Sequence, residues 1–171
     1  KLEYAVGVRK LMKQLELARA ESINDARSKL LSHPATRDLI KSDGPGVADP
    51  TRDPSLCFES PTALCLLNEA QESAKAIPRA ELRDWAYGEI LIAEARAGLG
   101  HRAMETAALI KDPRLVMVAL RDIAEAQSAA GRPEDAAAAA RIIPDPSKKS
   151  AALAAIAEIQ LRRNDLKDAK E

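Results

Sequence analysis

The 171-residue sequence predicts an all-α fold, a solenoid of stacked antiparallel helix pairs, on three observations. Nearly the same line is written twice, as ALRDIAEAQSAAGRPEDA at residues 119–136 and ALAAIAEIQLRRNDLKDA at residues 152–169. That displacement of 33 residues matches an architecture that repeats one supersecondary unit every ~20–50 residues. Apolar residues recur at spacings of three and four, the helical period, and no stretch alternates as a strand hairpin would. Alanine dominates while aromatic residues are only 2%. Alanine is the strongest intrinsic helix former, and its small side chain lets helices approach closely.

Taken in order, residues 2–20 carry a stripe of Tyr4, Val8, Leu11, Leu15 and Ala18 on one helical face. Ser22 or Asn24 is placed to cap a second, shorter helix that buries Ala26, Leu30 and Leu31. Pro34 fits the first turn of another short piece ending near Ile40. Residues 1–40 thus form an N-terminal helical segment. Residues 41–61 lose all periodicity and hold four prolines and two glycines, a loop expected to be pinned by Leu56 and Phe58. Helices resume over residues 62–76, with Leu64, Leu67, Ala70 and Ala74 on one side, and then up to Gly98 with Leu82, Trp85, Ala86, Ile90 and Ala93 facing inward. Gly98 and Gly100 make a turn. Further helices are expected over 102–110, 113–129, 133–143 and 147–163, and LKDAKE reads as the opening of one more.

Within residues 62–171 the repeat can be aligned position by position. Leu120, Ile123, Ala124, Gln127, Gly131, Ala136, Ala140 and Ile143 form one set, and Leu153, Ile156, Ala157, Gln160, Asn164 and Ala169 the next. Asp112–Pro113 and Asp145–Pro146 punctuate both, the aspartate suited to cap and the proline to the first helical turn. An earlier copy reads as Ile92, Ala93, Arg96 and Gly100, with a second helix about two residues shorter, and a fainter one as Leu64, Leu67, Asn68 and Gln71. A lone pair encloses too little core to stand by itself; stacking completes it. Gln127 and Gln160 recur at a half-buried position and are expected to bond across neighbouring helices.

These positions resemble the tetratricopeptide repeat family, whose units are antiparallel helix pairs of about 34 residues. Leu120, Ile123 and Ala124 stand where that family has a large apolar residue, leucine and a small residue, Gly131 looks like its turn glycine, and Pro146 is similar to its terminal proline, two residues early. Arg96, Gln127 and Gln160 replace the usual tyrosine, so the chain looks like a divergent, alanine-rich member. The resemblance covers residues 62–171 and implies a right-handed superhelix whose concave groove holds a protein or peptide. It nominates Asn68, Arg96, Arg121, Glu125, Ser128, Glu158 and Arg162 as partner-binding residues.

Composition narrows the alternatives. Lys plus Arg and Asp plus Glu number 26 each, and the basic pairs Lys148–Lys149 and Arg162–Arg163 are brief, so nothing suggests a nucleic-acid partner. No apolar run of about 18 residues calls for a membrane span. Cytoplasmic residence is favoured, with export after loss of a signal as the alternative. Glu94, Glu125 and Glu158 recur as if by architecture, His33 and His101 suit caps or surface, and there is no phosphate-cradling or dinucleotide-binding glycine loop. No enzyme activity, cofactor or metal site is therefore expected. Cys57 and Cys65 are close enough in sequence for a disulfide; two free thiols are the preferred reading, which leaves Cys57 paired with His101 as a remote nucleophile. Two further functions stay open: self-assembly through an open repeat end, and small-molecule binding under the 41–61 loop against Phe58 and Trp85.

Overall fold

A computed structural model describes residues 2–41 and 46–168. Those residues are all-helical: α1 (Leu2–Ser32), α2 (Pro34–Arg37), a 3-10 turn (Leu39–Lys41), α3 (Ser55–Glu59), α4 (Ala63–Lys75), α5 (Ala80–Arg96), α6 (Gly100–Ala108), α7 (Pro113–Ala129), α8 (Pro133–Arg141) and α9 (Pro146–Asp168). The side chain of Tyr4, residue Ala169 and residues 42–45 of the expected loop lie outside the described residues.

The 33-residue period is built into the backbone. The starts of α5, α7 and α9 fall at residues 80, 113 and 146, and those of α6 and α8 at 100 and 133. Both α5 and α7 have 17 residues, and both α6 and α8 have nine. The expected shortening of the earlier unit is therefore wrong: Gly98, not Gly100, is the partner of Gly131. Both glycines end a long helix with positive φ, +86° and +82°, a region where a Cβ is strained. The equivalents of Leu120, Ile123, Ala124 and Gln127 become Tyr87, Ile90, Leu91 and Glu94.

Long helices pack side by side, α5 on α7 and α7 on α9, and each short helix folds back on the long helix before it. The fold-back is fixed at Asp84, near the start of α5. Its carboxylate accepts from the backbone N–H groups of Lys111 (3.1 Å) and Asp112 (2.9 Å), just past the end of α6. Asp112 then caps α7 by accepting from the Arg114 N–H at 2.9 Å, and Asp145 caps α9 by accepting from that of Lys148 at 2.9 Å. Arginines from the following unit close the other ends: Arg132 donates to the Ala95 and Arg96 carbonyls, and Arg163 to the Ala129 carbonyl at 2.7 Å. A Cβ on Gly98 or Gly131 would press on these guanidinium groups.

The core follows from the period. Tyr87, Leu91, Ala95, Val116, Leu120, Ile123, Ala124, Ala136, Ala140, Ile143 and Ala152 have essentially no exposure. On α5 the buried face differs from the expected one by about two residues. Leu82 and Trp85 are exposed, while Asp84, Tyr87 and Glu94 are buried. An apolar count cannot find a face that contains two carboxylates. Gly88 is a half-buried glycine in mid-helix whose Cβ would meet nothing within 4 Å. Gly88→Ala is therefore expected to stabilise the fold by about 0.5–1 kcal/mol, read as a higher urea midpoint at unchanged slope.

Burial also sets a pH limit. The Tyr87 hydroxyl is buried without a hydrogen-bond partner among the described residues. Burial pushes its pKa up from 10.0 to about 12. Above pH 10 the unfolded chain releases this proton while the folded chain still holds it, so stability falls until about pH 12 is passed. The loss is on the order of 3 kcal/mol at about 1.4 kcal/mol per unit. Tyr87→Phe should remove this component of the alkaline slope in a denaturation series without lowering stability at pH 7.

The N-terminal segment departs from expectation. No break occurs at Ser22 or Asn24; α1 is one helix of 31 residues. It ends at Ser32 because Pro34 disfavours helical backbone at His33, which is extended (φ −100°, ψ 124°) and caps α2 through Nδ1. Thr36 ties the joint by donating to the Leu30 carbonyl at 2.8 Å. The second half of α1 buries Ala26 and Leu30 and packs against α7. Arg19 meets Glu81 at 3.8 Å, and Lys29 meets Asp145 at 2.6 Å. The first half exposes Val8, Leu11 and Leu15. The hydrogen bond from Lys29 holds the Asp145 carboxyl below its ordinary pKa of 3.8. That contact is complete above this value and is lost as pH falls through the lower folded one. Amide exchange in α1 should accordingly speed up in acid before that of α7 does.

The proline-rich segment is tied down differently from expectation. Leu56 and Phe58 are exposed, and Cys57 is buried in a disulfide with Cys65, Cα atoms 5.7 Å apart. This overturns the free-thiol reading and removes Cys57 as a nucleophile. Arg52 adds a paired salt bridge to Glu69 of α4, one arm at 2.7 Å.

Candidate functional site

Two polar features run through the stacked helices. The first is internal. Glu94 is fully buried; it accepts from the Thr106 hydroxyl at 2.7 Å, the Gln71 amide at 3.2 Å and the Arg102 guanidinium at 3.2 Å. Gln71 also donates to Thr106 at 2.6 Å, and Arg102 to the Asn68 side-chain oxygen at 2.8 Å. Three side chains, one on α4 and two on α6, thus satisfy one buried carboxylate of α5, as an interior charge requires. One helix pair later Gln127 stands in its place, and Asp135 and Ala139 replace Arg102 and Thr106. Gln160 occupies the third copy and donates to the Ser128 hydroxyl at 2.9 Å. The expected bond across helices is present at Gln160. At Gln127 the side-chain oxygen is buried without a partner among the described residues.

The second feature is open to solvent. A cleft of about 250 Å³ crosses α5, α7 and α9 and is lined by Ile92, Arg96, Asp122, Glu125, Ala126, Ala129 and Ile159. Ile92, Glu125 and Glu158 share one repeat position; Arg96, Ala129 and Arg162 share another. Apolar Ile92, Ala126 and Ile159 alternate with a charged rim. Arg121 donates to Asp122 at 2.8 Å and lies 3.5 Å from Glu125. The pairing with Asp122 keeps the guanidinium pKa raised. One arginine serving two carboxylates leaves a negative excess at that side, opposite the cation of Arg96.

No family model matches this chain, and neither a curated protein nor a solved structure does. Assignment of the site therefore rests on geometry alone. Of the nominated residues, Arg96 and Glu125 line the cleft and Arg121 braces its rim. Glu158 and Arg162 continue the same phase on α9, paired to each other and exposed. Asn68 is elsewhere, engaged by Arg102. Ser128 is fully buried beneath Gln160 and presents nothing to a partner. The supposed common phase of Glu94, Glu125 and Glu158 is also corrected: Glu94 belongs with Gln127, inside, and only the other two share the outer face. Asp122, Ile92 and Ile159 were missed, although a correct 33-residue register leads from Glu125 to Ile92.

A larger cleft, about 550 Å³, lies between α1 and the starts of α5 and α7. Much of its charge is already committed within the protein. Arg19 faces Glu81, Arg114 holds Asp112, and Asp84 binds the 111–112 backbone. His101 sits on the surface 3.3 Å from Glu105, and among the described residues no three His, Cys, Asp or Glu side chains gather as a metal set. No helix there is long and apolar enough to cross a membrane.

Proposed function

We propose that this chain is a helical-repeat recognition module, a divergent tetratricopeptide-like solenoid that holds an extended peptide segment of a protein partner across α5, α7 and α9. The observation that carries the reading is the cleft over those helices. It repeats one set of positions along successive long helices, with an apolar floor and a rim that is negative at Asp122 and Glu125 and positive at Arg96. Such a surface suits shape matching with polar contacts at the edge. The complementary segment places an aliphatic side chain over Ala126, a carboxylate against Arg96 and a cation or amide against Glu125.

Selection of random ten-residue peptides on the immobilised chain tests this. Selected peptides should share an acidic and a basic residue flanking an aliphatic one. Their binding should fall at least about tenfold, or 1.4 kcal/mol, in Arg96→Glu and Glu125→Lys and stay unchanged in Glu134→Lys on α8. Peptides indifferent to both cleft changes would refute the assignment.

A further inference from the structure

The buried network around Glu94 has a counterpart one repeat later, and the counterpart lacks its donors. A step of 33 residues carries Asn68, Gln71, Glu94, Arg102 and Thr106 to His101, Met104, Gln127, Asp135 and Ala139. All five of the latter line one cleft of about 400 Å³, which lies on α7 between the short helices α6 and α8. The two places are equivalent in the fold and opposite in chemistry. In the first, the Arg102 guanidinium, the Thr106 hydroxyl and the Gln71 amide converge on the Glu94 carboxylate. In the second, aspartate, alanine and methionine stand where those three donors were. Charge is reversed at the arginine position. Arginine to aspartate and threonine to alanine both shorten the side chain, which leaves room beside a carboxylate for the group that Arg102 supplies one unit earlier.

The acceptors of this second place are open. Gln127 is only 6% exposed, and its oxygen has no hydrogen-bond partner among the described residues, a costly state for a buried acceptor. Its nitrogen lies against Gly100, where a Cβ would come within 2.6 Å of it. The last torsion of a glutamine is soft and roughly two-fold, so either end of the carboxamide can turn to the cleft. Among the described residues the ion pair of Asp135 is a long one. Arg132 gives its guanidinium to the Ala95 and Arg96 carbonyls, and its Nε stays 3.9 Å from the Asp135 carboxylate. His101, at the mouth, lies 3.3 Å from Glu105. Met104, Ile123 and Ile142 make an apolar wall. Both α6 and α8 run from first residue to C-cap within the described residues, so the cleft does not lie at an open end of the array.

We infer that this cleft binds a small molecule bearing an alkylguanidinium group. The ion pairs with Asp135, as Arg102 pairs with Glu94; one N–H donates to the Gln127 oxygen; and the alkyl stem lies on Met104, Ile123 and Ile142. Guanidinium is favoured over ammonium because its planar fork serves two acceptors at once. The cleft is on a different side of α7 from the peptide cleft, and the inference does not depend on that cleft being occupied.

The test titrates butylguanidinium into the full chain and follows amide shifts in the NMR spectrum. Saturation with a Kd of about 1 mM is expected, the scale for a ligand of so few atoms, with shifts concentrated at Met104, Gln127, Asp135 and Ala139. N-butylurea, a neutral analogue of the same shape, should bind at least about tenfold more weakly. Asp135→Asn, at an exposed position, should leave the circular dichroism intact and weaken butylguanidinium by the same factor. The triple change Gln127→Glu, Asp135→Arg and Ala139→Thr copies the first unit and should abolish binding, because the chain then fills the cleft with its own guanidinium. N-acetylarginine methylamide separates the sources. Weaker binding than butylguanidinium supports a free small molecule; binding as tight or tighter assigns the cleft to an arginine of a partner segment and overturns that choice. The inference is also overturned by no saturation near ~10 mM butylguanidinium, by equal binding of N-butylurea, by binding that survives Asp135→Asn, or by shifts centred on Asp122 and Glu125, which would place the ion in the peptide cleft.

Discussion

Replacing Glu94 by alanine is expected to destabilise the protein by about 3–5 kcal/mol, because one buried carboxylate satisfies three donors from two neighbouring helices. Without it, the Thr106 hydroxyl and the Gln71 amide lose an acceptor in the interior, and Arg102 is left half-buried beside a void. At about 2–4 °C per kcal/mol for a chain of this size, the melting temperature should drop by roughly 10 °C. Glu94→Gln is the informative control. Glutamine occupies the same repeat position at 127 and 160, retains one oxygen and fits the space, so its cost should be near 1 kcal/mol. Equal losses in both variants, measured by urea denaturation, would mean that charge and not hydrogen-bond geometry governs the site.

Leu120→Ala and Leu153→Ala form a matched pair: same residue, same place in the repeat, opposite surroundings. Leu120 is fully enclosed between α7 and the helices after it, and its truncation leaves a cavity costing about 2–5 kcal/mol. Leu153 faces outward, and its truncation should stay within about 0.5 kcal/mol. A large effect at Leu153 in dilute solution would show that α9 is covered there by something other than water.

This pair also marks how far the sequence could be read. Over residues 113–163 the small and aliphatic residues alternate with the helical period, and helix positions, caps and the 33-residue step follow from them. One unit earlier the same positions hold Tyr87, Glu94 and Asp84. There the apolar count slides by two residues to Ile92 and Trp85, because the two buried carboxylates depend on partners at Gln71, Arg102 or the 111–112 backbone that local periodicity does not contain. The N-terminal segment was less legible still: the contact that seats α1 joins residues 116 apart in sequence, Lys29 and Asp145. Cysteine spacing permitted a bridge without requiring one. In the cleft, the outward phase of Glu125 and Glu158 was readable, whereas Ser128, one helical turn from Ala124, shares the phase that faces the next unit.

The placement of α1 has a mechanical consequence. Rows of helices joined only to their neighbours flex like a leaf spring, each contact yielding a little. Here a rod packs on the middle rung, α7, and reaches to either side of it, with Arg19 3.8 Å from Glu81 and Lys29 bonded to Asp145. Ten helical steps separate Arg19 from Lys29, about 15 Å. Of the two end contacts only Lys29 to Asp145 is a hydrogen bond, so resistance to bending concentrates at the packing of α1 on α7 and at the turn that leads into α9.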